Sequence, residues 1–151
     1  MKVHLALDQQ AKLRQALARA GRNEIGGQLY GEQLAPSYFR ITHLTLQTRR
    51  GTFARFVVDL IQAAKDAVGF FESTRHQYAR YNYIGEWHSH PSFAVEPSST
   101  DAQTMRDLVA DPGFRGSFAV LMIVRLDTDV LTAGAWVFDP NGAEHPIQLE
   151  Y

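Results

Sequence analysis

Tyr81-Asn82-Tyr83-Ile84-Gly85-Glu86-Trp87-His88-Ser89-His90-Pro91 runs from aromatic and β-branched residues into two histidines and a proline. Side chains of those types suit a pleated surface, so the segment reads as a strand. Pro91 ends it, because proline has no N–H to give the ladder. Strand side chains alternate with period two, so His88 and His90 share one face and both imidazoles can reach one metal ion. Glu86 falls on that face as well.

Working outward, Ser98-Ser99-Thr100-Asp101 precedes Ala102, Met105, Leu108 and Val109. That apolar spacing of three and four predicts a helix starting near Ser98, with Asp101 in its first turn. A carboxylate at a helix start facing two imidazoles at a strand end makes a set of N, N and O donors. Zinc accepts all three at roughly 2.0 to 2.2 Å, and catalytic zinc keeps three protein ligands with a fourth position for water. The same set also suits non-haem iron. A metal of this kind lowers the pKa of bound water to about 7. Glu24, just before Gly26-Gly27, is the candidate acid and base, and Ser98 the candidate donor to a developing oxyanion. Each part also has a plainer reading. His-x-His fits a polar strand edge, Ser98-x-x-Asp101 fits a helix capping box, and Glu24 fits a solvated turn.

The joint pattern is more specific than its parts. Glu24-Ile25-Gly26-Gly27-Gln28-Leu29-Tyr30-Gly31, then His88-Ser89-His90-Pro91, six residues, Ser98, two residues and Asp101, resembles the full signature of the JAMM (MPN+, JAB-domain) metalloproteases. The resemblance covers nearly the whole chain. It implies zinc on His88, His90 and Asp101, Glu24 as acid/base, and Ser98 assisting the tetrahedral intermediate. It implies a JAMM/MPN, cytidine-deaminase-like fold and hydrolysis of isopeptide or peptide bonds at the C-terminus of ubiquitin or a ubiquitin-like protein. Glu86-Trp87 stands where many eukaryotic members carry two apolar or aromatic residues. Glu86 could orient a ligand imidazole, touch substrate or pair with an arginine. Trp87 is a further candidate for such a supporting or substrate contact. Phe93, in the apolar loop from Pro91 to Pro97, could line the substrate channel.

Gly-Glu-Trp-His-Ser-His-Pro looks most like small bacterial JAB proteins, including those encoded beside activating-enzyme-like and conjugating-enzyme-like proteins, which become expected partners. Processing of a small sulfur-carrier-like protein and a metal-free MPN scaffold are the alternatives.

The length of 151 residues suits one domain, 1–151. Fifteen basic and sixteen acidic residues leave a formal charge of −1 with no basic block, so nucleic acid is not an expected partner, and a DNA-repair-type JAB relative gains no support. The absence of cysteine excludes disulfides, cysteine zinc sites and thiol nucleophiles, and suits a reducing cytoplasm. No apolar run is long enough for a membrane span or signal peptide.

Val3 to Leu7 predicts a strand, and Asp8 a cap for a helix bearing Leu13, Leu17 and Ala20 and ended by Gly21. Gly26 to Gln33 and Tyr38 to Thr48 predict paired strands. In the second, alternation places Phe39, Ile41, His43 and Thr45 on one face and Thr42, Leu44 and Leu46 on the other, so both faces should be covered. Phe53 to Val58 predicts a short strand, and Asp59 the cap of a helix reaching about Tyr81. Arg49 and Arg50 lie in a polar loop that could touch an acidic partner. Strands at 117–125 and 130–138, a turn at 139–142 and a last extended segment at 143–149 follow. The expected class is α/β (α+β), a mixed sheet sandwiched by helices. His4, His43, His76 and His145 form no second cluster.

Overall fold

The computed structural model describes residues 1–47 and 60–151, with side chains described for 1–47 and 64–151. The expected strand at 53–58, the Asp59 cap and the arginines at 49 and 50 lie outside the described residues. In chain order the elements are β1 (Lys2–Leu5), α1 (Leu7–Ala20), β2 (Gly26–Ala35), β3 (Tyr38–Leu44) and α2 (Leu60–Ser73). Then follow β4 (Tyr81–Ser89), α3 (Ser99–Ala110), β5 (Ala119–Asp127), β6 (Val130–Phe138), β7 (Glu144–Pro146) and β8 (Gln148–Glu150). The eight strands form one mixed sheet in the order β7-β6-β5-β4-β2-β3-β1-β8.

The two outermost strands are nearly continuous in sequence. Only Ile147 separates them, and its N–H donates to the Ala135 carbonyl of β6. The last segment therefore runs from β6 at one end of the sheet to β1 at the other.

Helices cover both faces because the strands carry apolar side chains on both. One core gathers Leu13 and Leu17 of α1 with Val3, Leu29, Phe39, Ile41, Leu44, Ile84, Trp87, Val120, Met122 and Val124. The other gathers Ala102, Met105 and Val109 of α3 with Ala119, Leu121, Ile123 and Phe138. Along β5 these two sets alternate, as a strand buried on both sides requires.

Several boundaries differ from the sequence expectations, each for a local reason. The first helix starts at Leu7 with Ala6 as N-cap and no capping side chain, so Asp8 sits inside the first turn, where a carboxylate favours the helix dipole. The second helix stops at Ser73, well before Tyr81. Ser73 and Thr74 donate their hydroxyls back to the Phe70 carbonyl, and Arg75 and His76 turn left-handed. In β3 the pairing with β2 slips between Tyr30 and Gly31, leaving Thr42 as an extra residue. The bulge puts Leu44 on the same face as Phe39 and Ile41 and sends His43 toward Tyr30 and Phe70 on the other. Both faces are covered, with a different allocation from strict alternation.

Trp87 also corrects an expectation. It is fully buried on the α1 side of the sheet, and its indole N–H donates to the Thr45 carbonyl at 3.0 Å. It is a core residue with no exposed surface to offer a substrate. Trp87→Ala removes a large buried side chain and leaves the Thr45 carbonyl unpaired. The expected cost is about 3–5 kcal/mol in denaturant unfolding; a loss under about 1 kcal/mol would contradict this placement.

Candidate metal centre

The chain enters the site from three directions. Antiparallel pairing of β2 with β4 sets Gly26 against His88 and Gly27 against Trp87. Ser89 N–H donates to the Ile25 carbonyl and Ile25 N–H to Ser89 Oγ, so the pairing continues past the strand end. Glu24 comes directly before this pair, two residues ahead of the glycine that faces His88. Glu24 is half-buried, and its charge acts on the His88 ring. On its other side Gly27 lets the segment after β3 pack against β2, since a Cβ there would collide with the Thr45 carbonyl.

The second direction is the end of β4. His88 and His90 are both buried, with their Nε2 atoms 2.9 Å apart. His90 Nδ1 lies 2.8 Å from the Ala94 carbonyl, to which it can only donate. In the neutral ring that contact leaves the Nε2 lone pair bare and directed at the centre. Burial pushes the His88 pKa down, against the opposing pull of Asp101, so the neutral ring that a metal requires is favoured.

The third is the start of α3, where the cap and ligand readings of Asp101 converge. Asp101 N–H donates to Ser98 Oγ at 3.2 Å, and Ser98 N–H donates to Asp101 Oδ2 at 2.8 Å, a complete capping box. The same Oδ2 lies 3.6 Å from His88 Nε2 and 3.5 Å from His90 Nε2. Burial pushes this carboxyl up, but the His88 imidazole and the Ser98 donors outweigh it and hold Asp101 below its ordinary value. One nitrogen or oxygen from each of His88, His90 and Asp101 lies within 4.8 Å of the other two. Two imidazole nitrogens and an ionised carboxylate, all buried and convergent, fit a divalent ion of borderline softness.

Phe93 is exposed at the rim, its ring edge-on to His90 at 6.3 Å. The loop carrying it is tied down by Arg125, which donates to the Phe93 carbonyl at 2.9 Å.

The sequence matches the family described as prokaryotic homologs of the JAB domain over residues 7–138. The chain belongs to that family. Two solved structures agree on the fold, and a third is more distant. A protein from Desulfitobacterium hafniense superposes with a TM-score of 0.66 at 16% identity, covering 97% of this chain and 90% of that one. One from Salinibacter ruber gives 0.57 at 21% identity, covering 99% and 90%. A JAB1/MPN domain protein from Archaeoglobus fulgidus gives 0.49 at 16%, covering the full length of both. No curated protein matches the chain. Glu24, His88, His90, Ser98 and Asp101 of this JAB domain all lie within the matched span. No helix among its described residues is long and apolar enough to cross a membrane.

Glu86 shares the face of His88, but its surroundings were not legible from spacing. Tyr83 OH donates to Glu86 Oε1 at 2.7 Å, and Gln28 stands directly opposite on β2. Tyr30 OH occupies the Gln28 amide oxygen at 2.8 Å, which leaves the amide nitrogen for Glu86. No arginine pairs with Glu86 among the described residues, and burial raises its carboxyl pKa to about 8 despite Tyr83 and Gln28. Residues 83 and 86 would oppose each other by strict alternation. They meet because Leu29 faces Gly85 while Tyr30 faces Tyr83, a bulge that admits Ile84 as an extra residue. A glycine in mid-strand was its only sequence signal: Gly85 has φ +154, and a Cβ there would strike Val120 backbone.

Proposed function

We propose that this JAB domain is a zinc-dependent peptidase that cleaves the amide between the C-terminus of a ubiquitin-like protein and a lysine or peptide. The observation that carries the reading is the buried convergence of His88 Nε2, His90 Nε2 and Asp101 Oδ2, with Glu24 near enough for its charge to act on the His88 ring. His88, His90 and Asp101 would hold the ion. Bound there, zinc would supply Lewis acidity and a strong nucleophile at neutral pH.

The chain's own residues do the rest. Glu24 takes the proton of the attacking water and hands it to the leaving amine. Ser98 Oγ accepts from Asp101 N–H, so its own proton is left to donate to the oxyanion. Phe93 at the rim offers an apolar contact to the incoming tail. From Ser98 an open groove of about 660 Å³ passes Ala102 and Trp136 to Glu144 and Pro146. That groove is a path for an extended chain leading to the edge strand β7.

Metal titration of chelator-treated protein tests the centre. One zinc per chain is expected, with affinity lost toward acid pH, because the metal must compete with protons for its ligands. His90→Ala should bind at least about tenfold more weakly. Failure of the wild-type protein to bind zinc would leave a scaffold role instead. Cleavage of a ubiquitin-like fusion that survives zinc removal would overturn the mechanism.

A further inference from the structure

A second concave site lies at the far end of β4 from the histidines. Asn82 and Tyr83 line it, and His88 is six residues beyond Asn82, about 20 Å along a strand. It is a cleft of about 520 Å³, within the range of small-molecule sites. Its walls are Phe39, Phe71, Tyr78, Phe114 and Phe118, with Arg80 and Arg115 among the lining residues. No carboxylate lines it among the described residues.

The charge around the cleft is unbalanced. Arg80 donates through Nε and Nη2 to Glu32 Oε2 at 3.0 and 2.8 Å, and Arg40 donates to the other oxygen of the same carboxylate at 3.2 Å. Two guanidiniums thus share one buried carboxylate, and Arg40 Nε is itself buried without a hydrogen-bond partner. Arg115, on the exposed loop between α3 and β5, has no acidic partner among the described residues. Aromatic walls with surplus guanidinium charge are complementary to a flat apolar body carrying an anionic group. Arginine is suited to both demands, since its planar head stacks on rings and forms forked bonds to carboxylate, phosphate or sulfonate.

We infer that the cleft between the start of β4 and the loop before β5 binds a small aromatic anion, at a site separate from the metal centre. Its occupant stacks among Phe114, Phe118 and Tyr78 and places its charge between Arg80 and Arg115.

Anilinonaphthalene sulfonate, titrated by fluorescence with the folded protein, is a suitable probe, and uncharged phenylnaphthylamine is its control. The sulfonate should bind, and Arg115→Glu should weaken it by at least about tenfold while leaving the neutral probe unchanged. Amide NMR shifts should centre on residues 78–83 and 114–118. Phe114→Ala should weaken both probes. Arg115 makes no contact that the fold needs, so an unaltered amide spectrum for the variant is expected, and Arg115→Ala gives a milder version of the same comparison. No sulfonate binding by the wild-type protein, equal affinity in Arg115→Glu, or shifts centred elsewhere would each overturn the assignment.

Discussion

Glu24→Gln is expected to keep the fold and one bound zinc while losing turnover by roughly 10²–10⁴-fold. The substitution is nearly isosteric and removes only the ability to accept and return a proton. Glu24 is not among the three converging donors, so the metal count should not change. Its backbone lies just outside the β2–β4 ladder, so pairing at Ile25 and Gly26 should also survive. The measurement is kcat for release of a ubiquitin-like fusion partner beside zinc stoichiometry of the same preparation. Activity equal to wild type with zinc retained would remove Glu24 from the mechanism. Zinc lost along with activity would mean that the residue supports the metal instead.

Glu86→Gln is expected to stabilise the metal-free protein, and more so as pH rises. The folded carboxyl titrates near pH 8, far above its ordinary value of 4.5. Between those values the unfolded chain has released its proton while the folded chain still holds it. Unfolded protein therefore gains on folded protein as pH increases, at up to about 1.4 kcal/mol per pH unit. The penalty is absent below about pH 4.5, grows through neutrality and levels off above pH 8, reaching on the order of several kcal/mol. Glutamine carries no such cost, and its amide oxygen can still accept from Tyr83 while Gln28 remains opposite. Denaturant unfolding in chelator should show the variant close to wild type at pH 5 and more stable by a few kcal/mol at pH 8. Equal stability at both pH values would show that Glu86 is not held neutral by burial.

The two experiments address different parts of one strand neighbourhood. Glu24 concerns the proton that chemistry must move, and Glu86 concerns a carboxyl kept from ionising a short way along β4. The tyrosine that meets Glu86 also lines the remote aromatic cleft.

Much of this was readable in the chain because it depends on neighbours close in sequence. His88 and His90 share a face by the period of a strand, and no bulge falls between them. Ser98 and Asp101 form a capping box whatever lies beyond the helix. The mixed sheet between helices followed from the order of apolar patterns, and the JAB family from the resemblance carried by five polar residues and the segments around them.

Other features were decided by pairing between distant strands. Trp87 belongs to the α1 core rather than the site, and Leu44 joins Phe39 and Ile41 rather than opposing them. Tyr83 meets Glu86 only because of an extra residue in β4. A bulge is a mismatch between two strands, so neither strand shows it alone, and each one reverses the alternation beyond it. The identities of the candidate donors His88, His90 and Asp101 therefore stood in the sequence. Their convergence, and the burial that sets the ionisation of Glu86, came from the tertiary structure, because both depend on which backbone lies opposite which.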